Sequence, residues 1–111
     1  YDKRFKDQNS FLTFEVKQTH RSARHLYPII LNSKLRSKKE AIFQELQKRE
    51  LGVQVHYKPI YQNSFYIEKF GKTFLPVAEE FYKGEISIPC HHNMTLNDAV
   101  YVADTLLEVL V

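Results

Sequence analysis

Apolar residues change their spacing several times along the chain, and each change predicts an element. His25-Leu26-Tyr27-Pro28-Ile29-Ile30-Leu31 is a compact apolar run around one proline and predicts a first strand. Pro28 places that strand at an edge or at a bend, because proline has no N–H to give to a ladder. Asn32 and Ser33 predict a turn. The spacing then becomes helical: Ala41, Ile42, Leu46 and Leu51 form one stripe, opened by a Ser37/Glu40 capping box and closed by Gly52 as a left-handed C-terminal cap. A β-branched, alternating run, Val53 to His56, predicts a second strand that Pro59 cuts short.

Further along, residues 62–69 predict a short helix that breaks at Gly71. Pro76 suits the first turn of a helix over 76–83, with Gly84 ending it. Ile86-Ser87-Ile88 predicts the third strand, stopped by Pro89. A final helix starts at Thr95 with Asp98 as its acidic partner, and Leu96, Ala99, Val100, Ala103, Leu106, Leu107 and Leu110 give it one apolar stripe that covers the sheet. The N-terminal residues are harder to place. Residues 1–9 read as the end of a polar helix, and residues 10–22, with Phe11, Phe14 and Val16 irregularly spaced, as a weak strand or a linker. Strand–helix–strand order with tight connections indicates a small α+β domain: an open-faced sandwich of about three mainly antiparallel strands with helices on one face.

Composition narrows the class. An apolar fraction of 43% with 26% charged residues fits a globular domain and excludes a disordered tail. No apolar run approaches the ~20 residues of a spanning helix, and no signal peptide is expected. Cys90 is the single cysteine, so no internal disulfide forms, and a reducing, cytoplasmic setting is expected. The net charge of +3 is small, and the cluster Lys34, Arg36, Lys38 and Lys39 reads as a solvated face rather than a nucleic-acid surface. The first residue is Tyr1 rather than methionine, and the expectation is a piece of something longer.

Several chemistries are poorly supported. Cys90-His91-His92 offers zinc-type ligands, but three consecutive residues cannot all reach one tetrahedral ion from an extended segment. A nucleophilic Cys90 would need a base held by a third group. The three glycines, 52, 71 and 84, stand singly, so there is no phosphate-cradling loop. What remains is His56-Tyr57-Lys58-Pro59-Ile60-Tyr61, which brings an imidazole, an ammonium and two phenols to a strand end. Such a set suits a phosphorylated or hydroxyl-rich ligand. Glu85, just before the third strand, is placed to point toward the end of Val53–His56. The competing reading makes these residues satisfied packing groups.

Four blocks in register carry a resemblance. Arg24-His25-Leu26-Tyr27-Pro28-Ile29, Gly52-Val53-Gln54-Val55-His56-Tyr57-Lys58-Pro59-Ile60-Tyr61, Ala78-Glu79-Glu80-Phe81 and Ile86-Ser87-Ile88-Pro89 resemble the C-terminal domain of the DegT/DnrJ/EryC1/StrS nucleotide-sugar aminotransferases. The resemblance implies the small domain of an aspartate-aminotransferase-like, fold type I pyridoxal 5'-phosphate enzyme. Residues 1–22 would lead in from a missing large domain, and residues 23–111 would be the small domain. Val55 to Gln62 and Glu85 to His91 are most similar to the branch serving pseudaminic acid biosynthesis, which aminates a UDP-linked 4-keto-6-deoxy sugar with glutamate as amino donor. Tyr61 and the Cys90-His91 pair set this branch apart from relatives that carry histidine at the Tyr61 position.

By that resemblance His56, Tyr57, Lys58, Pro59, Tyr61 and Glu85 are substrate-binding, with Lys58 supplying charge, His56 a directed hydrogen bond and the tyrosines walls. The Schiff-base lysine and the cofactor's phosphate cup would lie outside these residues, so the chain alone would bind the cofactor poorly and be inactive. The complete protein would be a cytoplasmic homodimer, with no metal, nucleic-acid or membrane partner. A stand-alone small-molecule-binding or regulatory α/β domain is the competing function, and a weakly basic nucleic-acid-binding domain a more distant one.

Overall fold

Three short strands form an antiparallel sheet in the order β1 (Phe11–Thr13), β2 (Tyr27–Leu31), β3 (Glu85–Ile88). The computed structural model describes residues 1–111, and four helices complete it: α1 (Lys39–Lys48), α2 (Ser64–Phe70), α3 (Pro76–Gly84) and α4 (Leu96–Val109). Single 3-10 turns sit at Arg36–Lys38 and Ile60–Gln62. Successive strand residues point to opposite faces. One face, Tyr27, Ile29 and Leu31 of β2 with Ile86 and Ile88 of β3, joins Ile42 and Leu46 of α1 and Val102, Ala103 and Leu106 of α4 in a single core. The expected α+β sandwich is the one observed.

Its third strand is a different one. Val53–His56 makes only an isolated bridge, Gln54 to Ser87, while β1 supplies the third strand from the segment expected to be a weak strand or linker. Val53 is nevertheless buried at the core. The N-terminal residues also enter that core: Phe5 and Phe11 are buried, their rings meet edge to face at 5.0 Å, and the Tyr27 hydroxyl donates to Asp2 Oδ1 at 2.6 Å.

Pro28 lies in the central strand, and the ladder shows why it is tolerated there. Ser87 exchanges both of its backbone hydrogen bonds with Gln54, so its pair with Pro28 is one of the non-hydrogen-bonded pairs of β2 and β3. The proline nitrogen therefore faces the β1 side. There β1 has already ended, its last pair being Thr13 with Ile29.

Both ends of α1 differ from expectation. No side chain caps it, and Ser37 and Glu40 form no capping box. The chain turns earlier, where Asn32 Oδ1 accepts from the N–H groups of Lys34 and Leu35, and the 3-10 turn feeds straight into the helix. At the other end the left-handed residue is Glu50, with φ 62°, not Gly52. Ala41 is exposed; the buried positions of α1 are Ile42 and Leu46. α4 starts as expected, with Thr95 and Asp98 in a reciprocal capping box. Its buried face is rotated from the predicted stripe: Val102, Ala103, Thr105 and Leu106 are covered, whereas Leu96 and Val100 are exposed.

α3 leads into β3 through Gly84. A Cβ there would stand 2.9 Å from Ile30 Cγ2 and 3.2 Å from the Leu31 carbonyl oxygen, so glycine lets the helix close onto β2. Arg36 reinforces this contact, pairing with Glu80 of α3. Lys39 donates to the Tyr82 carbonyl at 2.5 Å. Two of the four clustered cations thus tie the 3-10 turn and the start of α1 to α3. No helix is long and apolar enough to cross a membrane.

Candidate functional site

The segment from His56 to Tyr61 follows the Gln54–Ser87 bridge and lies off the sheet. It forms a ridge between two depressions of opposite character. On one side a polar cleft is lined by His56, Gln54 and Ser87 together with His25, Cys90 and His91. On the other, Tyr57, Pro59, Ile60 and Tyr61 line an apolar groove with Leu75, Val77 and Phe81. The Tyr57 ring is 75% exposed and meets the His56 ring edge to face at 4.8 Å, so the pair caps the ridge. Lys58 is exposed at its crest.

Two polar side-chain atoms in the chain are buried without a hydrogen-bond partner: His56 Nδ1 and the Tyr61 hydroxyl. Both belong to this one segment. Buried polar groups are nearly always paired, so each such exception calls for a reason. Burial, then the nearby Glu79 carboxylate, pushes the Tyr61 phenol up. Glu79 itself accepts from Gln62 Nε2 at 2.8 Å.

Glu85 lies beside the segment as expected, but it does not face a cleft. It is 1% exposed, and both carboxylate oxygens are engaged: Oε2 accepts the His56 backbone N–H at 2.9 Å and Oε1 accepts the Ser87 hydroxyl at 2.6 Å. Its carboxylate faces the backbone of the segment from behind. The six candidates are contiguous in space. His56, Tyr57, Lys58, Pro59 and Tyr61 form the surface, and Glu85 holds its base.

Of the cleft residues named above, Gln54, Ser87, His25, Cys90 and His91 were not among the candidates. The β2–β3 register, Tyr27 opposite Ile88, carries His25 to the neighbourhood of Cys90 and His91 as the two strands run on. The Cys90 thiol donates to the Arg24 carbonyl at 3.1 Å, which fixes that juxtaposition. Only the antiparallel pairing of two distant segments could have revealed it. No three histidine, cysteine or carboxylate side chains come together closely enough to hold an ion.

The model of the DegT/DnrJ/EryC1/StrS aminotransferase family matches residues 1–107. The chain belongs to this family. A UDP-4-amino-4,6-dideoxy-N-acetyl-beta-L-altrosamine transaminase from Campylobacter jejuni is 47% identical over 110 residues, 99% of this chain and 29% of the relative. Among solved structures, Helicobacter pylori PseC, an aminotransferase involved in the biosynthesis of pseudoaminic acid, superposes with a TM-score of 0.94 at 39% identity, over 98% of this chain and 29% of that one. The PLP-form of a putative sugar aminotransferase, Spr1654 from Streptococcus pneumoniae, gives 0.87 at 28% identity, over 98% of this chain and 28% of that one. The chain thus spans under a third of the length of the aminotransferases it matches. Its sheet and helices are those of a part of the DegT/DnrJ/EryC1/StrS fold, and the sequence resemblance holds.

Proposed function

We propose that the chain is the C-terminal, substrate-cleft part of a pyridoxal-phosphate aminotransferase that aminates a UDP-linked 4-keto-6-deoxy sugar, with glutamate as amino donor, in pseudaminic acid biosynthesis. What supports this reading is the 47% identity to a UDP-sugar transaminase over 99% of the chain, together with a buried His56 Nδ1 that has no hydrogen-bond partner in the candidate segment. The names of the matching transaminases supply the sugar class. Lys58 offers an unburied cation for a diphosphate, His56 a directed hydrogen bond, and Tyr57, Pro59 and Tyr61 amphipathic walls. In this reading residues 1–22 carry the chain in from the larger part of the protein, and their first thirteen also complete the core of the small domain.

The cofactor fits elsewhere. Lys39 is pulled below the ordinary lysine range by burial, against the opposing charge of Glu85, but its ammonium already donates to the Tyr82 carbonyl at 2.5 Å and lies 4.8 Å from the Tyr82 ring centroid. It is not free to anchor an aldehyde. The glycines are too scattered for a phosphate cradle. A Schiff-base lysine outside these residues accords with the 29% coverage of the relatives, and the chain by itself is then inactive. The complete protein is taken to be a cytoplasmic homodimer.

Lys58→Ala and His56→Ala in the complete protein test the assignment. Each is expected to raise KM for the nucleotide sugar by about tenfold, the loss of one charge-assisted contact. Unchanged KM and turnover in both variants would sink the site.

A further inference from the structure

Glu85 stands where a hydrophobic residue would be expected. Its neighbours along β3, Ile86 and Ile88, are buried, and it is itself 1% exposed. Burying a carboxyl group is unfavourable unless its oxygens find donors. Both oxygens of Glu85 have found donors, and one of them is the backbone N–H of His56.

The ladder shows what that contact replaces. Gln54 and Ser87 exchange both backbone hydrogen bonds, at 3.0 and 2.8 Å. In an antiparallel ladder the next such pair is two residues along each strand, which is His56 with Glu85. There the His56 N–H should meet the backbone carbonyl of residue 85. It meets the Glu85 side chain instead, at 2.9 Å, while the Ser87 hydroxyl holds the second oxygen at 2.6 Å. A side chain has taken the place of its own backbone carbonyl as acceptor. The strand ends at the bridge, and His56 is carried outward by the reach of a carboxyl group.

We propose that Glu85 is a positioning residue for nucleotide-sugar recognition: by taking the His56 N–H on its side chain it diverts residues 56–61 off the sheet and aims them as the wall of the cleft. The proposal rests on the substrate reading above and adds a role that no direct contact would give. Glutamine can play the same part. Its carbonyl accepts from His56, and its amide donates to the Ser87 hydroxyl. Valine cannot. With an apolar side chain at position 85 the ladder is free to close by one rung, the His56 N–H pairing with the backbone carbonyl.

The test compares Glu85→Val and Glu85→Gln in the complete protein. Three readouts are used: thermal stability, the half-reaction with glutamate and the half-reaction with the nucleotide sugar. Glu85→Val is expected to lower the melting temperature somewhat, because the buried Ser87 hydroxyl loses its acceptor and Lys39 its neighbouring charge, yet to leave the glutamate half-reaction unchanged and raise KM for the sugar about tenfold. Glu85→Gln should restore the parental KM. A parental sugar KM in Glu85→Val overturns the proposal, and so does a parallel loss of stability and of both half-reactions, which would mark a purely structural residue. If the parent itself does not turn over the sugar, the substrate reading fails. The positioning claim is then decided by the crystal structure of Glu85→Val: His56 drawn into the ladder supports it, and His56 in its parental place overturns it.

Discussion

The Leu51 N–H donates to the Leu46 carbonyl at 3.0 Å, across a turn in which Glu50 donates to Gln47 at 2.9 Å. These are the two bonds of a Schellman motif, and they require the residue between them to be left-handed. That residue is Glu50, at φ 62°. Glutamate there meets steric strain and also places a negative charge at the negative end of α1. Glu50→Gly is expected to stabilise the chain by about 0.5–1 kcal/mol. Chemical denaturation should show a higher midpoint at an unchanged slope.

Gly84→Ala should do the opposite. The added methyl meets a β-branched side chain at 2.9 Å and a backbone carbonyl at 3.2 Å, neither of which moves easily. A loss of about 1–3 kcal/mol is expected, in line with overpacking at other tight contacts. The melting temperature measures it.

Phe5→Ala asks whether the N-terminal residues belong to the fold. Phe5 is 4% exposed, stacks with Tyr1 at 5.7 Å and meets Phe11 edge to face. Removing its ring should destabilise the chain by about 3–5 kcal/mol. A variant that melts with the parent would show that residues 1–9 detach in solution.

Acid should weaken the start of α4. The Thr95 backbone N–H, then its hydroxyl, hold the Asp98 carboxyl below its ordinary value of 3.8. A carboxyl whose value is lowered on folding stabilises the fold above its unfolded value and loses that contribution as the pH falls through the folded one. The stability gap between the parent and Asp98→Asn should therefore be full at neutral pH and close as the pH drops below about 3.8. A gap independent of pH would deny the capping role of the charge.

Periodicity revealed the elements whose own residues decide them. β2, β3, α3 and the capping box of α4 can be read from local pattern, because an apolar run, a proline at the first turn or a Thr95/Asp98 pair acts within a few residues. The strand expected at Val53–His56 could not be judged this way. Its residues suit a ladder, and what interrupts it is the side chain of Glu85, 29 positions away. β1 was obscured for the converse reason, since three residues carry too little alternation and their pairing with β2 decides them. At the site, the ridge residues could be found from their chemistry, whereas the cleft beside them needs the β2–β3 register to bring His25 to Cys90. The resemblance supplied the function that no pattern of spacing could.

Pro28 has one more effect, on how this chain meets other chains. Sheet edges invite pairing with foreign strands, and this molecule also leaves apolar residues such as Phe14 and Val77 uncovered. The stretch of β2 beyond Thr13 is where an intruding strand would find a place beside the central strand. At that rung it meets a residue with nothing to donate. Where β1 stops, Pro28 thus withholds the donor that a foreign strand would need to continue the ladder.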